Sequence, residues 1–202
     1  MARPHLGLIV PPAAGAVPVE GGQLYGEHFR FSALGLGLSE ISTRGYEEVI
    51  DSVVEKALLL KEAGAEAVSL MGTSLSFYRG TAFNRELEAE MARRTGLPCT
   101  TMTHAVVRGL QHLGVHRVAV ATAYIDEVNL RLRDYLVHNG FEPLALEGLS
   151  ISDVGAVGKV PTRQLVDLCT RVFEAQPGAD GILLLCGGLV TLRAVREVGE
   201  RL

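Results

Sequence analysis

One cysteine stands where a strand-like apolar run meets two glycines. Cys186 follows the apolar residues 182–185 and precedes Gly187 and Gly188. Glycine allows the backbone to approach a ligand closely and to expose its N–H groups, and a thiol can donate a proton. A free cysteine at the end of a strand is also commonly a buried packing residue. The residues alone leave both interpretations of Cys186 open.

Small and hydroxyl residues gather at the ends of other predicted strands. Together with the cysteine segment, they occupy residues 10–15, 71–74, 122–124 and 186–188. Ligands of open α/β sheets bind outside the carboxyl ends of the strands, where hydroxyl and backbone N–H groups bind carboxylates and enolates. No lysine, arginine or acidic residue lies in these segments, so neutral donors would hold an oxyanion. The alternative is that Thr73 and Ser74 only cap a helix and that Tyr124 is a packed ring.

The remaining cysteines and the histidines indicate no further chemistry. Cys169 falls in an amphipathic segment and Cys99 on a predicted strand, where core packing is the simpler interpretation. The three cysteines form no CxxC pair, so neither a disulfide framework nor a cysteine zinc site is expected. His112 and His116 are four residues apart, but Gly114 predicts a turn between them. We therefore predict no metal site.

The composition excludes several classes of protein. The 202 residues are 48% hydrophobic, which is enough for one large domain or two small ones with a core. The net charge of −4, without a basic block, argues against a nucleic-acid partner or a membrane-surface partner. The sequence shows neither the apolar region of a signal peptide nor a run of about 20 apolar residues that would span a membrane. We predict a cytoplasmic protein.

Short apolar runs alternate with helix-length amphipathic runs. We predict strands at residues 5–10, 29–37, 66–71, 98–102, 117–122 and 181–185. Between them, we predict a helix over residues 46–63, a second that Asn84 caps and Gly96 ends, and a third capped by Thr103. Nearly continuous apolar strands are typical of a parallel sheet covered on both faces. The alternation predicts an α/β fold with right-handed crossovers.

Four motifs resemble the arylmalonate decarboxylase family of the aspartate/glutamate racemase superfamily. They occupy residues 9–15, 69–80, 121–126 and 181–188, and the resemblance runs through nearly the whole chain. It implies two pseudo-symmetric halves, each a mostly parallel sheet flanked by helices, with the active site in the cleft between them. A short internal echo between residues 72–75 and 186–189 places their boundary near Gly114, which gives residues 1–113 and 114–202. The resemblance also implies that the family's last strand and closing helix are missing after residue 202. No cofactor is implied.

The resemblance assigns Cys186 as a proton donor to a carbanion. Racemases of the superfamily place one cysteine in each half, and the matching position in the first half is Gly72 here. A single thiol protonates from one face only, which favours a stereospecific decarboxylase over a racemase. The donors implied for one substrate carboxylate are Thr73, Ser74, Tyr124 and the backbone of Gly187.

The resemblance also implies how a malonate would be bound. One carboxylate would sit in an apolar pocket, where a charge is poorly solvated, and would leave as CO₂. The implied pocket residues are Leu38, Ile41, Tyr46, Val154 and Val157, while Pro11 and Pro12 line the aryl side next to Gly72. Two alternatives remain: a racemase or isomerase of the same superfamily, and a small-carboxylate binding domain without catalysis. The sequence does not define the oligomeric state, and a monomer is compatible with it.

The protonation state of Cys186 is left open by the sequence. A thiol at the start of a helix tends to lose its proton, with a pKa below the usual value of about 8.5. An apolar surround has the opposite effect. A proton donor requires that the second effect be the larger one.

Overall fold

The computed structural model describes residues 2–202, which form two parallel sheets flanked by helices. The strands are β1 (His5–Val10), β2 (Arg30–Gly35), β3 (Ala67–Leu70), β4 (Cys99–Thr101), β5 (Arg117–Thr122), β6 (Glu142–Gly148) and β7 (Gly181–Leu185). The helices are α1 (Val19–Tyr25), α2 (Thr43–Val49), α3 (Val53–Glu62), α4 (Thr73–Phe77), α5 (Gly80–Thr95), α6 (Met102–His112), α7 (Asp126–His138), α8 (Val154–Val157), α9 (Thr162–Glu174) and α10 (Leu192–Arg201). The predicted α/β class is confirmed.

Each sheet consists of parallel strands only. The first has the order β2-β1-β3-β4 and the second the order β6-β5-β7. Residues 118–121 of β5 are completely buried, as expected for a central strand that is covered on both faces. The predicted boundary at Gly114 lies in the turn between α6 and β5, and the independence of the two halves stays a prediction.

The predicted helix over residues 46–63 is present with an interruption. A short 3₁₀ turn, Ile50–Ser52, separates α2 from α3. The apolar face that the sequence indicated is buried throughout, with Val53 and Ala57 fully inaccessible. Within residues 2–202, no helix is long and apolar enough to cross a membrane.

Two predicted helix caps are wrong. Asn84 lies inside α5, which begins at Gly80, because its buried amide accepts a hydrogen bond from Thr101 and donates one to Tyr135. The N-cap of α6 is Thr101 rather than Thr103, since the Thr101 hydroxyl accepts from the backbone N–H of His104. The predicted end of α5 is confirmed, because Gly96 adopts the left-handed conformation there.

Strand β6 is missing from the sequence-based prediction. Pro143 lies at its second position, and proline removes a ladder donor. The strand is at the edge of its sheet and pairs only with β5 among the described strands, so a missing donor is tolerated. The register shifts between Val118 and Ala119, next to the proline.

The loop after β1 lies directly on the end of β2. The backbone N–H groups of Leu36 and Leu38 donate to the carbonyls of Val10 and Pro11, each over 2.9 Å. A side chain at Gly35 would overlap the Pro12 carbonyl oxygen and lie 2.5 Å from that of Ala13. A glycine at this position therefore allows the Pro11-Pro12 loop to fold back over the sheet.

Replacing Gly35 by alanine is expected to destabilise the protein by about 1–3 kcal/mol, because the loop must move away from the new methyl group. The matched control is Gly109→Ala in α6, where a Cβ meets nothing within 4 Å and a gain of up to about 1 kcal/mol is expected. Urea unfolding of both variants measures the difference. Equal stability of Gly35→Ala and the unmodified protein would contradict this packing.

Candidate active site

A cavity of about 390 Å³ lies where the carboxyl ends of strands from both sheets meet. Its wall includes all but two of the residues that the sequence predicted for the site: Pro11, Pro12, Leu38, Ile41, Gly72, Thr73, Ser74, Val154, Val157, Cys186 and Gly187. The other two, Tyr46 and Tyr124, are fully buried and do not contribute to the wall. The fold thus brings side chains from distant parts of the chain to one place.

Cys186 adopts an unusual backbone conformation directly after β7. Its φ of 149° lies in a region that residues other than glycine rarely occupy. Its carbonyl accepts from the N–H of Leu189 over 3.0 Å, which closes a tight turn. Such strain persists only where the surrounding structure enforces it, and it is concentrated at functional sites.

Gly187 allows two strand ends to approach each other. A Cβ at this position would lie 2.9 Å from the carbonyl oxygen of Met71 and 3.1 Å from the sulfur of Met102. The loop that carries Cys186 therefore packs directly against the end of the β3 segment. This contact brings the thiol close to the residues that begin α4.

Burial raises the pKa of the Cys186 thiol to about 11. The backbone N–H of Gly188 and the hydroxyl of Tyr124 favour the thiolate and lower the pKa, but by less than burial raises it. The balance that the sequence left open is therefore in favour of the protonated form. At neutral pH the residue is a neutral thiol with a proton to give.

The hydroxyl groups near the thiol form a cluster across the two halves. Thr73 Oγ1 and Tyr124 Oη lie 2.5 Å apart, and both residues are buried. Burial raises the pKa of Tyr124 well above its usual value, so its hydroxyl stays neutral. The N-cap of α4 is Gly72, and neither Thr73 nor Ser74 caps the helix. Thr73 and Ser74 therefore line the cavity and do not cap α4.

Tyr46 lies behind the hydroxyl cluster. Its ring packs against that of Tyr78, with centroids 5.2 Å apart. Within residues 2–202 its buried hydroxyl has no hydrogen-bond partner of normal geometry, although the Ser74 side chain is close enough to lower its pKa. Burial has the larger effect and raises the pKa of Tyr46 above its usual value.

An apolar part of the cavity wall is built from both halves of the chain. Leu38 and Ile41 come from the first half, and Val154 and Val157 from the second. The two segments are joined by an antiparallel bridge between residues 40 and 153 and by the N–H of residue 41, which donates to the carbonyl of residue 152 over 2.7 Å. These four side chains offer a carboxylate no hydrogen-bond donor.

A family model for arylmalonate decarboxylase matches residues 6–202. This chain belongs to the arylmalonate decarboxylase family. It is 56% identical over 199 residues to arylmalonate decarboxylase of Bordetella bronchiseptica, which covers 98% of this chain and 82% of that protein.

Solved structures give the same relationship. A double mutant of arylmalonate decarboxylase in the liganded form has a TM-score of 0.96 and 55% identity, covering 98% of this chain and 84% of that one. A maleate isomerase of Pseudomonas putida S16 has a TM-score of 0.91 at 20% identity, covering 99% of this chain and 84% of that one, which shows a shared fold alone.

Sequence reasoning missed part of the cavity wall in this family member. Residues 16–20 and residues 189–190 also line the cavity. They are small or apolar except Glu20, and they fall in segments without a periodic pattern. A second omission is the pair Ser76 and Thr103, whose buried hydroxyls both donate to the carbonyl of Thr73 over 2.8 Å. Ser76 could have been found from the sequence, because it lies three residues after Thr73 in a segment rich in hydroxyl residues.

Two substitutions at Cys186 test its strained backbone. A protein with glycine inside a helix or strand usually has a free energy of unfolding about 0.5–1 kcal/mol lower than the same protein with alanine. At φ 149° we expect the reverse: the free energy of unfolding of Cys186→Gly should be higher than that of Cys186→Ala by about 1–3 kcal/mol. Both variants lack the thiol, so urea unfolding isolates the backbone effect. The same pair of substitutions at Cys169, inside α9, should show the usual order. The usual order at both positions would disprove the strain.

Alkylation of Cys186 by iodoacetamide tests its raised pKa, because only the thiolate reacts. With a pKa of about 11, the rate should still rise tenfold per pH unit above about pH 9, where an ordinary thiol levels off. The same shift favours the folded state below the usual thiol pKa, and this advantage is lost as the pH rises toward 11. Mass spectrometry locates the modified residue, and the urea-unfolded chain is the control. A plateau near pH 9 in the folded protein would contradict the shift.

Proposed function

We propose that this chain decarboxylates α-aryl and α-alkenyl malonates to α-substituted carboxylic acids of one chirality, without a cofactor. The observation that carries the proposal is a single protonated thiol, Cys186, beside neutral hydroxyl donors in a cavity whose wall is otherwise mostly apolar. Membership of the arylmalonate decarboxylase family supports this substrate class.

The two carboxylates of the substrate would meet different environments. One accepts hydrogen bonds from Thr73, Ser74 and the backbone N–H of Gly187, which line the cavity. The other faces the apolar side formed with Leu38 and Val157. An ionised carboxylate is poorly solvated in such surroundings. Loss of CO₂ removes this charge from the apolar side, so decarboxylation relieves the unfavourable interaction.

Cleavage of the carbon–carbon bond leaves its electron pair on the α-carbon and the remaining carboxylate as an enediolate. The hydroxyls of Thr73 and Tyr124 are held in place before the reaction, so they stabilise the new charge with little reorganisation. The aryl group, beside Pro11 and Pro12, delocalises the same charge. Cys186 then gives its proton to the α-carbon and regains one from water.

A racemase or isomerase of the superfamily is the second candidate. It would require a second thiol on the opposite face, at position 72. A Cβ on Gly72 would lie 2.8 Å from Leu75 Cδ1 and 3.3 Å from Pro11 Cγ, so Leu75 must move before any side chain fits. Rotation of the Leu75 side chain can provide that room, so residue type decides rather than packing: position 72 is a glycine, and Cys186 is the only thiol among the described residues of the cavity wall. A single thiol supports a one-sided proton donor and therefore the decarboxylase.

The remaining expectations from the sequence stay predictions. Family membership supports a small-molecule substrate. Within residues 2–202, no group of three or more histidine, cysteine or acidic side chains is placed to hold a metal ion. The cytoplasmic location rests on the sequence argument.

Purified protein is expected to release CO₂ from a prochiral methyl-phenylmalonate and to yield one enantiomer of the product. In D₂O the product should carry one deuterium at the α-carbon, because the proton comes from an exchangeable thiol. Cys186→Ala should lower the rate by about 100-fold to 10,000-fold, the usual contribution of a positioned acid. Chiral chromatography and mass spectrometry measure these outcomes.

The control is Cys99→Ala, which removes a half-buried thiol on β4 outside the cavity wall and should retain activity. Full activity of Cys186→Ala would refute the proton-donor assignment. No CO₂ release from folded protein, together with malonate binding by calorimetry, would identify a carboxylate-binding domain instead.

A further inference from the structure

One carboxylate joins the two walls of the cavity. Glu20 Oε1 accepts from the backbone N–H groups of Thr191 and Leu192 over 2.7 and 2.6 Å, and its Oε2 accepts from the Thr191 hydroxyl over 3.1 Å. These N–H groups begin α10, where a helix leaves its first donors without partners in its own backbone. A carboxylate there is stabilised by charge-assisted hydrogen bonds and by the helix dipole.

Helix α1, which carries Glu20, has little else to hold it in place. None of its residues is buried, and Val19 and Tyr25 are 71% and 52% exposed. Its N-cap, Pro18, makes no side-chain cap, and Gly21 and Gly22 disfavour a helix. Beyond its far end, Gly26 accepts a hydrogen bond from the Arg3 guanidinium. Among the described residues, the Glu20 carboxylate makes the side-chain hydrogen bonds that link α1 to the second half.

The position of Glu20 makes this link part of the site. Residues 16–20 form one wall of the cavity, and residues 186–190 form the wall that carries the thiol. Among the described residues that line the cavity, Glu20 is the only charged one. Its hydrogen bonds with the start of α10 partly compensate this negative charge. A carboxylate without such partners at the wall would repel an anionic substrate more strongly.

We propose that Glu20 is a positioning residue that latches residues 16–20 onto the loop that carries Cys186 and so completes the substrate cavity. This inference rests on the proposed function. Without the latch, α1 moves away from the cleft, since no buried side chain retains it. Substrate binding then weakens, while the hydroxyl donors and the thiol, which other contacts fix, keep their geometry.

Kinetics of Glu20→Ala and Glu20→Gln test the latch. Each should raise KM by about tenfold or more and change kcat by less than about threefold, because binding is affected more than chemistry. Glutamine has the same size but no charge, so it isolates the charge-assisted part. Thr191→Val removes only the hydroxyl bond and should raise KM by about two- to threefold.

The matched control is Glu27→Gln. Glu27 is an exposed residue just after α1, without a side-chain hydrogen bond in the described chain, and its substitution should leave KM unchanged.

Two measurements separate this inference from the proposed function. Hydrogen exchange should be faster at the amides of residues 191–192 and over residues 16–25 in Glu20→Ala, and phenylacetate should bind about tenfold more weakly by calorimetry. Neither needs turnover, so an inactive protein that shows both changes would refute the decarboxylase and support the latch. Unchanged KM and phenylacetate affinity in a folded Glu20→Ala would overturn the latch. If that variant fails to fold, Thr191→Val decides: a two- to threefold rise in KM and a similar loss of phenylacetate affinity would support the latch, and no change in either would overturn it.

Discussion

The proposed chemistry depends on a thiol that keeps its proton although the neighbouring groups stabilise negative charge. Donors that hold an enediolate also stabilise a thiolate, and the Gly188 N–H and the Tyr124 hydroxyl do lower the pKa of Cys186. Burial outweighs them and raises the pKa to about 11. A lysine or arginine in the wall would add a charge that favours the thiolate. The described cavity wall contains no cationic side chain, which is a condition for the proposed proton donation.

The parallel sheets provide the rigidity that this arrangement needs. Cys186 is held at φ 149° because β7 fixes the chain before it and the packing of Gly187 against Met71 fixes the chain after it. The central strand β5, buried over residues 118–121, pairs with β7 and supports the strained turn. Part of the free energy gained in the core thus offsets strain at the functional position.

Local patterns in the sequence predicted what local physics decides. Apolar strands followed by small residues located the thiol and the hydroxyl segments, and Gly96 located a helix end. Interactions between distant residues were not accessible in this way. Asparagine often caps helices, which is why Asn84 was predicted as a cap. Its hydrogen-bond partners, Thr101 and Tyr135, lie on other elements, and the local sequence does not reveal them. Strand β6 contains a proline that only its edge position allows, and edge positions are a property of the assembled sheet.

The cleft geometry belongs to neither half alone. The donors of one half and the thiol of the other are related by contacts that cross between the sheets: Thr73 with Tyr124, residue 40 with residue 153, and Glu20 with the start of α10. Each of these three contacts is polar and directional, so it fixes relative position more than it adds stability. Changes at these contacts therefore alter the cavity before they unfold either sheet. For this reason the resemblance of motifs within each half predicts the chemistry, whereas the fit to a substrate depends on residues that no single motif contains.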